Sequence, residues 1–187
     1  RSPFRGLGDV YKRQPLILNM KKIVAIGNAG GNIADSIRKQ GIGVGDAEFV
    51  YYDTDKESLY MHGRETDTHI LLPEEAKAEE YFNGVLNGVE TLIITAGLSG
   101  KTGGTYALCA AWSSEDMNVE NVIAFVAMPF SFEGEDKQAV AMGCLENLKI
   151  LCDDVIIQEN DKLDGDLSMI DMDAILCSKY AEIFQEK

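Results

Sequence analysis

Five short apolar runs rich in β-branched residues punctuate the chain: IVAIG (23–27), FVYYD (49–53), TLIITA (91–96), VIAFVAM (122–128) and VIIQ (155–158). Each is continuous rather than alternating. A strand that alternates apolar and polar residues shows one face to water, so an unbroken run means both faces are covered, as in a parallel sheet between layers of helices. Helical patterning predicts the covering elements over 32–40, 73–86, 105–116, 137–151 and 168–186. Strand–helix alternation sustained along the chain predicts an α/β fold, a doubly wound, mostly parallel sheet with helices on both faces, Rossmann-like in outline. Ligands of such sheets sit beyond the carboxyl ends of the strands, so function is to be sought in the loops that follow the five runs.

The 187 residues, 45% hydrophobic and 26% charged, suffice for one globular domain with a real core. No apolar run approaches the roughly 18 residues needed to cross a bilayer and no secretory pattern opens the chain, which predicts a soluble, cytoplasmic protein without membrane insertion. Residues 1–19, beginning RSPFRGLGDVYKRQ, have no period and mix basic residues with Gly and Pro. They read as a foreign leader similar to translated adapter sequence, or as an ordinary disordered arm; Met20 is then the natural start and 20–187 the domain. The net charge of −14 leaves no basic footprint for releasing counterions from a nucleic acid, which excludes that class of partner. A single nucleotide is still allowed, because backbone N–H groups and Mg²⁺ can meet phosphates locally. Cys109, Cys144, Cys152 and Cys177 form no C-x-x-C pair and read as reduced core cysteines, while His62 and His69 supply no ligand pattern.

The first loop, GNAGGN (27–32), brings Gly27, Ala29, Gly30, Gly31 and Asn32 to a strand–helix junction, suited to a phosphate or to a tight structural turn. It departs from G-x-G-x-x-G at Ala29 and Asn32. The second, Asp53-Thr54-Asp55, can hold a hydrated Mg²⁺ or cap the next helix. The third is the densest: Gly97, Gly100, Gly103 and Gly104 with Ser99, Thr102 and Thr105 have the chemistry of an anion nest. Its Gly100-Lys101-Thr102 imitates the end of a P-loop, but the spacing demands glycine where Thr95 stands. Lys101 is a cation for a phosphate or a solvated loop lysine. The fourth and fifth loops are PFSFEGED (129–136) and ENDKL (159–163), in which Asn160 is a base reader or a turn former.

Taken in order, ITAGLSGKTGGT, PFSFEG, NDKL, GNAGGNIAD and YDTDKESL resemble the loops of the tubulin/FtsZ superfamily, over about 21–163. The first is similar to the tubulin signature, PFSFEG is the string found in bacterial FtsZ, and GNAGGNIAD looks closest to archaeal CetZ proteins. The resemblance implies GTP or GDP as ligand, with Mg²⁺, and self-association or a filament partner. It assigns Gly30, Gly31 and Asn32 to the first phosphate loop and Asp55 to the loop near the metal-linked phosphates. It assigns Gly97, Ser99, Gly100, Thr102 and Gly103 to the main phosphate grip, Glu133 to ribose and Asn160 to guanine, with Lys137 standing where FtsZ usually has Arg.

Three departures bear on activity. Lys101 and Gly104 interrupt the usual phosphate loop, residues 64–80 lack the glycine-rich loop that reaches the γ-phosphate, and the sequence stops within the family's central helix, before the acidic loop that completes hydrolysis across a filament contact. The expectation is a guanine-nucleotide-binding domain, cytoskeletal or linked to cell division, with weak or absent hydrolysis. A degenerate interaction module with the same fold is the alternative, and an NAD-type Rossmann enzyme, with Asp53 on the ribose, a third.

Overall fold

The computed structural model describes residues 20–41, 47–73, 79–162 and Ser178. Six strands, β1 (Lys21–Ile26), β2 (Glu48–Asp53), β3 (Thr68–Leu71), β4 (Thr91–Gly97), β5 (Asn121–Met128) and β6 (Asp154–Glu159), form one sheet in the order β3-β2-β1-β4-β5-β6. Every pairing is parallel. The helices are α1 (Gly27–Gln40), α2 (Lys56–Leu59), α3 (Glu79–Leu86), α4 (Lys101–Asp116) and α5 (Glu135–Leu151), with short 3₁₀ turns at Ser131–Glu133 and Asn160–Lys162. The expected leader, the expected helix over 168–186 and Cys177 lie outside the described residues.

The unbroken apolar runs are divided by the pleat between two cores. Val24 and Ile26 of β1, with Leu92, Ile94 and Ala96 of β4, face Phe82, Ala107, Ala110, Leu145 and Leu148 of α3, α4 and α5. Ile23, Ala25 and Ile93 face Ile33, Ala34 and Ile37 of α1 and Leu59 of α2. Each central strand is thus buried on both sides, so alternation in the sequence would have placed polar groups in a core.

Two expectations change. The strand β3 was not anticipated: THIL is short, carries a histidine, and lies at the sheet edge with both ends exposed, so its apolar signal is diluted. The first and third loops are shorter than expected because Gly27, Gly30 and Gly31 already belong to α1, Gly97 to β4, and Gly103 and Gly104 to α4. The chain turns directly from β1 into α1 at Gly27, whose φ of 70° is left-handed and open to glycine without strain. Gly30 lies inside α1, where a Cβ would run into the Thr95 carbonyl of β4, and the Thr95 hydroxyl donates to the Gly30 carbonyl at 2.8 Å. Gly103, in the first turn of α4, stands against the Gly97 carbonyl in the same way, and Gly104 packs on Cys144 Sγ. These glycines allow α1 and α4 to press onto the central strands.

The contrast with Gly84 supplies a test. Gly84 is exposed within α3 and a Cβ there would meet nothing within 4 Å. Gly84→Ala should raise stability by about 0.5–1 kcal/mol in urea unfolding. Gly30→Ala, which overpacks a closed contact, should lower it by about 1–3 kcal/mol.

Candidate functional site

The strand order reverses between β1 and β4: from β1 the chain builds outward to β2 and β3, then returns to place β4 on β1's other side. At such a reversal the connections leave in opposite directions and a crevice opens between them. Here the crevice is a cleft of about 430 Å³ lined from three strand ends: Ile26, Gly27, Asn28 and Ala29 after β1, Asp53, Thr54, Asp55 and Ser58 after β2, and Gly97, Ser99 and Gly100 to Gly103 after β4.

Both helices that open on this cleft begin without a side-chain cap: Ile26 precedes α1 and Gly100 precedes α4, and neither first turn carries an acidic residue. The leading N–H groups of a helix have no partner within it and carry its partial positive charge. Two such ends converge on one crevice, an arrangement whose chemistry suits an anion. Lys101, at the first position of α4, adds an exposed cation at the rim.

The third wall is tied down by its own polar groups. Asp53 is 6% exposed; its Oδ1 accepts the Asp55 N–H at 3.1 Å and its Oδ2 accepts the Ser58 hydroxyl at 2.7 Å. Asp55 caps α2, accepting the Glu57 N–H at 2.9 Å. Thr54 and Thr102 hydroxyls meet at 3.0 Å, joining the β2 loop to the first turn of α4.

Of the residues expected at the site, Gly27, Ala29, Asp55, Gly97, Ser99, Gly100, Lys101, Thr102 and Gly103 line the cleft together. Gly30, Gly31 and Asn32 do not form a loop; they lie in α1, and the first two are buried against Thr95 and the His62 ring. A second cavity of about 370 Å³ continues past Ser99, Gly100 and Lys101 to Gly104, Val140, Cys144 and Lys137. Lys137 reaches Glu133 at 3.3 Å, and Glu133 also accepts the Phe130 N–H at 3.0 Å. Asn160 is buried outside both linings, its amide donating to the Met128 carbonyl at 2.8 Å. Asp161 anchors the neighbouring turn by accepting the Ser131 N–H.

Asn28 and Thr54, expected only as members of their loops, and His62, expected to be no metal ligand, complete the cleft and its backing. His62 is 8% exposed, with Nδ1 at 3.1 Å from Asp35 Oδ2 and Nε2 at 2.9 Å from Asn28 Oδ1. The available signal was Gly31: a Cβ there would overlap the imidazole, so glycine at that position reserves room for a ring. Among the described residues no group of three or more His, Cys, Asp and Glu side chains is placed to hold a metal ion, and no helix is long and apolar enough to cross a membrane. A larger cleft of about 710 Å³ lies at the opposite end of the sheet, between Arg38 and the starts of β2 and β3. Its lining contains none of the helix N-termini that mark the smaller one.

The fold and crevice define a doubly wound α/β domain with two uncapped helix N-termini at one end of its sheet. No protein-family model matches the chain. It is 30% identical over 159 residues to the cell division protein FtsZ of Haloferax mediterranei, a match covering 75% of this chain and 41% of that protein. An empty FtsZ dimer from M. jannaschii superposes with a TM-score of 0.72 at 22% identity, covering 89% of this chain and 54% of its own. CetZ2 from Haloferax volcanii, solved as a GTPγS-bound protofilament, gives 0.72 at 19% identity over 88% of this chain and 58% of its own. TubZ of Clostridium botulinum phage c-st gives 0.70 at 16%, over 89% and 60%. The chain has a tubulin/FtsZ-like fold corresponding to the N-terminal portion of these proteins, and it spans about half the length of the relatives it matches.

Asp35 provides a check on the backing of the cleft. Burial raises its pKa, but the hydrogen bonds from His62, Tyr51 and Gly63, with the His62 charge, outweigh burial and hold it below the ordinary 3.8. A carboxyl depressed on folding contributes stability that is complete above its unfolded value and disappears as pH falls through the folded one. The stability difference between the protein and Asp35→Asn, measured by urea unfolding, should therefore be full at pH 6 and shrink below pH 4.

Proposed function

We propose that the domain binds a guanine nucleotide, GTP or GDP, with the phosphates between the N-termini of α1 and α4. The observation that carries this is the convergence of two uncapped helix starts on the crevice where the strand order reverses. Lys101 and the Thr102 hydroxyl supply side-chain donors, and the cavity toward Lys137 and Glu133 takes the sugar. Guanine is carried over from CetZ2, which was solved with GTPγS. Asn160 is the residue assigned to the base, through the amide oxygen that its bond to Met128 leaves over.

Mg²⁺ fits this cleft through Asp55, whose Oδ1 is used in capping while Oδ2 remains; Mg²⁺ commonly keeps most of its waters and takes the rest from phosphate. When bound it would neutralise phosphate charge. Hydrolysis also needs a group that orients water. Asp53 is buried with each oxygen already accepting a hydrogen bond, and one Asp55 oxygen caps α2, which supports weak or absent hydrolysis by this domain alone. The committed Asp53 also argues against the NAD-type alternative, in which that carboxylate must be open to a ribose. By likeness to proteins solved as a dimer and a protofilament, the domain assembles with copies of itself, in the cytoplasm.

Thermal shift at fixed protein concentration tests the ligand. GTP or GDP with Mg²⁺ should raise the midpoint in proportion to RT ln(1 + [L]/Kd), ATP less, and NADH not at all. Lys101→Ala should weaken nucleotide binding about tenfold, the value of one charge-assisted hydrogen bond. A flat response to every nucleotide would favour an interaction module, and a response to NADH alone would restore the dehydrogenase-like alternative.

A further inference from the structure

His62 lies outside the cleft lining yet touches it through one residue. Its ring is flat against the backbone of Gly31 and stacks on Tyr51 with the planes 10° apart. Nδ1 faces Asp35, whose other oxygen accepts the Tyr51 hydroxyl at 2.8 Å and the Gly63 N–H at 3.1 Å. A carboxylate only accepts, so Nδ1 carries a proton in every state of the ring. The variable position is Nε2, which meets the Asn28 side-chain amide at 2.9 Å.

Asn28 is exposed, is the second residue of α1, and lines the cleft. Its amide has a donor end and an acceptor end, and His62 engages one of them. A protonated Nε2 donates to the amide oxygen and leaves the NH₂ group for the cleft. A bare Nε2 accepts from the NH₂ group and turns the carbonyl oxygen toward the cleft, where it repels phosphate oxygens.

We propose that His62 is a positioning residue that sets which end of the Asn28 amide meets the phosphate, so that nucleotide binding and protonation of the imidazole are coupled. This rests on the seating of phosphate in the cleft. The other groups around the ring are fixed by partners of their own. Arg38 of α1 is paired with Asp67 at 2.6 Å, Asp67 also accepts the Arg64 N–H, Tyr51 of β2 donates to Asp35, and His69 of β3 approaches the His62 carbonyl at 2.9 Å. Asn28 is the route by which the state of the ring reaches the cleft.

Coupling is reciprocal: the factor by which protonation strengthens nucleotide binding is the factor by which nucleotide strengthens protonation. The titration of the His62 Cε1–H resonance, followed by NMR with and without saturating GDP, measures it. Its midpoint should move up by about 0.7 pH unit, the equivalent of about fivefold coupling. In Asn28→Ala, which removes both the His62 partner and a phosphate contact, GDP binding should weaken and the movement at saturating GDP should vanish. Isothermal titration at pH 6 and pH 8 gives the second readout. GDP changes its own charge in this range, so the comparison is with His62→Gln, which should lose about fivefold of the protein's preference for pH 6. Bound GDP with an unmoved His62 midpoint, or a shift that survives in Asn28→Ala, overturns the coupling and leaves the nucleotide site standing. Absence of GDP binding at either pH overturns both.

Discussion

The arrangement depends on how closely two helices approach the central strand pair. Gly30 of α1 sits on the Thr95 carbonyl and Gly103 of α4 on the Gly97 carbonyl, positions where even a Cβ would overlap the carbonyl oxygen and push the helix away. Because β1 and β4 are adjacent and parallel, both helices begin at the same edge of the sheet, and their first turns are brought to a common crevice. With longer contacts the N-termini would splay, and the partial charges that fall off within a turn would no longer sum at one point. Packing and function therefore draw on the same glycines, those that release the helices to approach and those that leave the rim open.

The rest of the crevice is a set of restraints on that geometry. The Thr54–Thr102 contact holds the β2 loop to α4, and Asp53 holds Ser58 and Asp55 so that α2 starts where the loop ends. On the other side Asp35, His62 and Tyr51 brace α1 from behind. Each is a polar group satisfied by a neighbouring group, which restrains the walls of the crevice.

The fold was legible because its signal is redundant. Five strands buried on both faces produce five unbroken apolar runs, and any one could be misjudged without changing the class. β3 escaped because an edge strand of four residues, THIL, needs only one covered face. The site was legible in part. The glycine density at 97–104 lies at the edge of the sheet where the cleft opens, but the sequence does not distinguish a glycine that frees a backbone N–H from one that admits a carbonyl or a ring. Gly103 and Gly104 turned out to do the second while standing at the mouth of the first. Asp55, weighed as metal holder or cap, is a cap with one oxygen to spare. His62 was invisible because its partners Asp35 and Asn28 lie 27 and 34 residues away, a separation no local pattern spans.

The proposed phosphate seat in a chain of net charge −14 raises a question of which field prevails. Surface charges more than about 8–10 Å from the crevice are screened at physiological ionic strength, so the overall repulsion acts mainly on the rate of encounter. Helix N–H groups, the Thr102 hydroxyl and Lys101 act at hydrogen-bond range, where screening is slight and the local dielectric is low. Short-range donors can thus hold phosphate within an acidic protein, while the acidic exterior discourages the extended polyanions that would compete for it. The same division explains why a buried imidazole can matter at the site while distant carboxylates do not: His62 acts on the cleft through a hydrogen bond of 2.9 Å to Asn28, and its influence follows the orientation of that one amide.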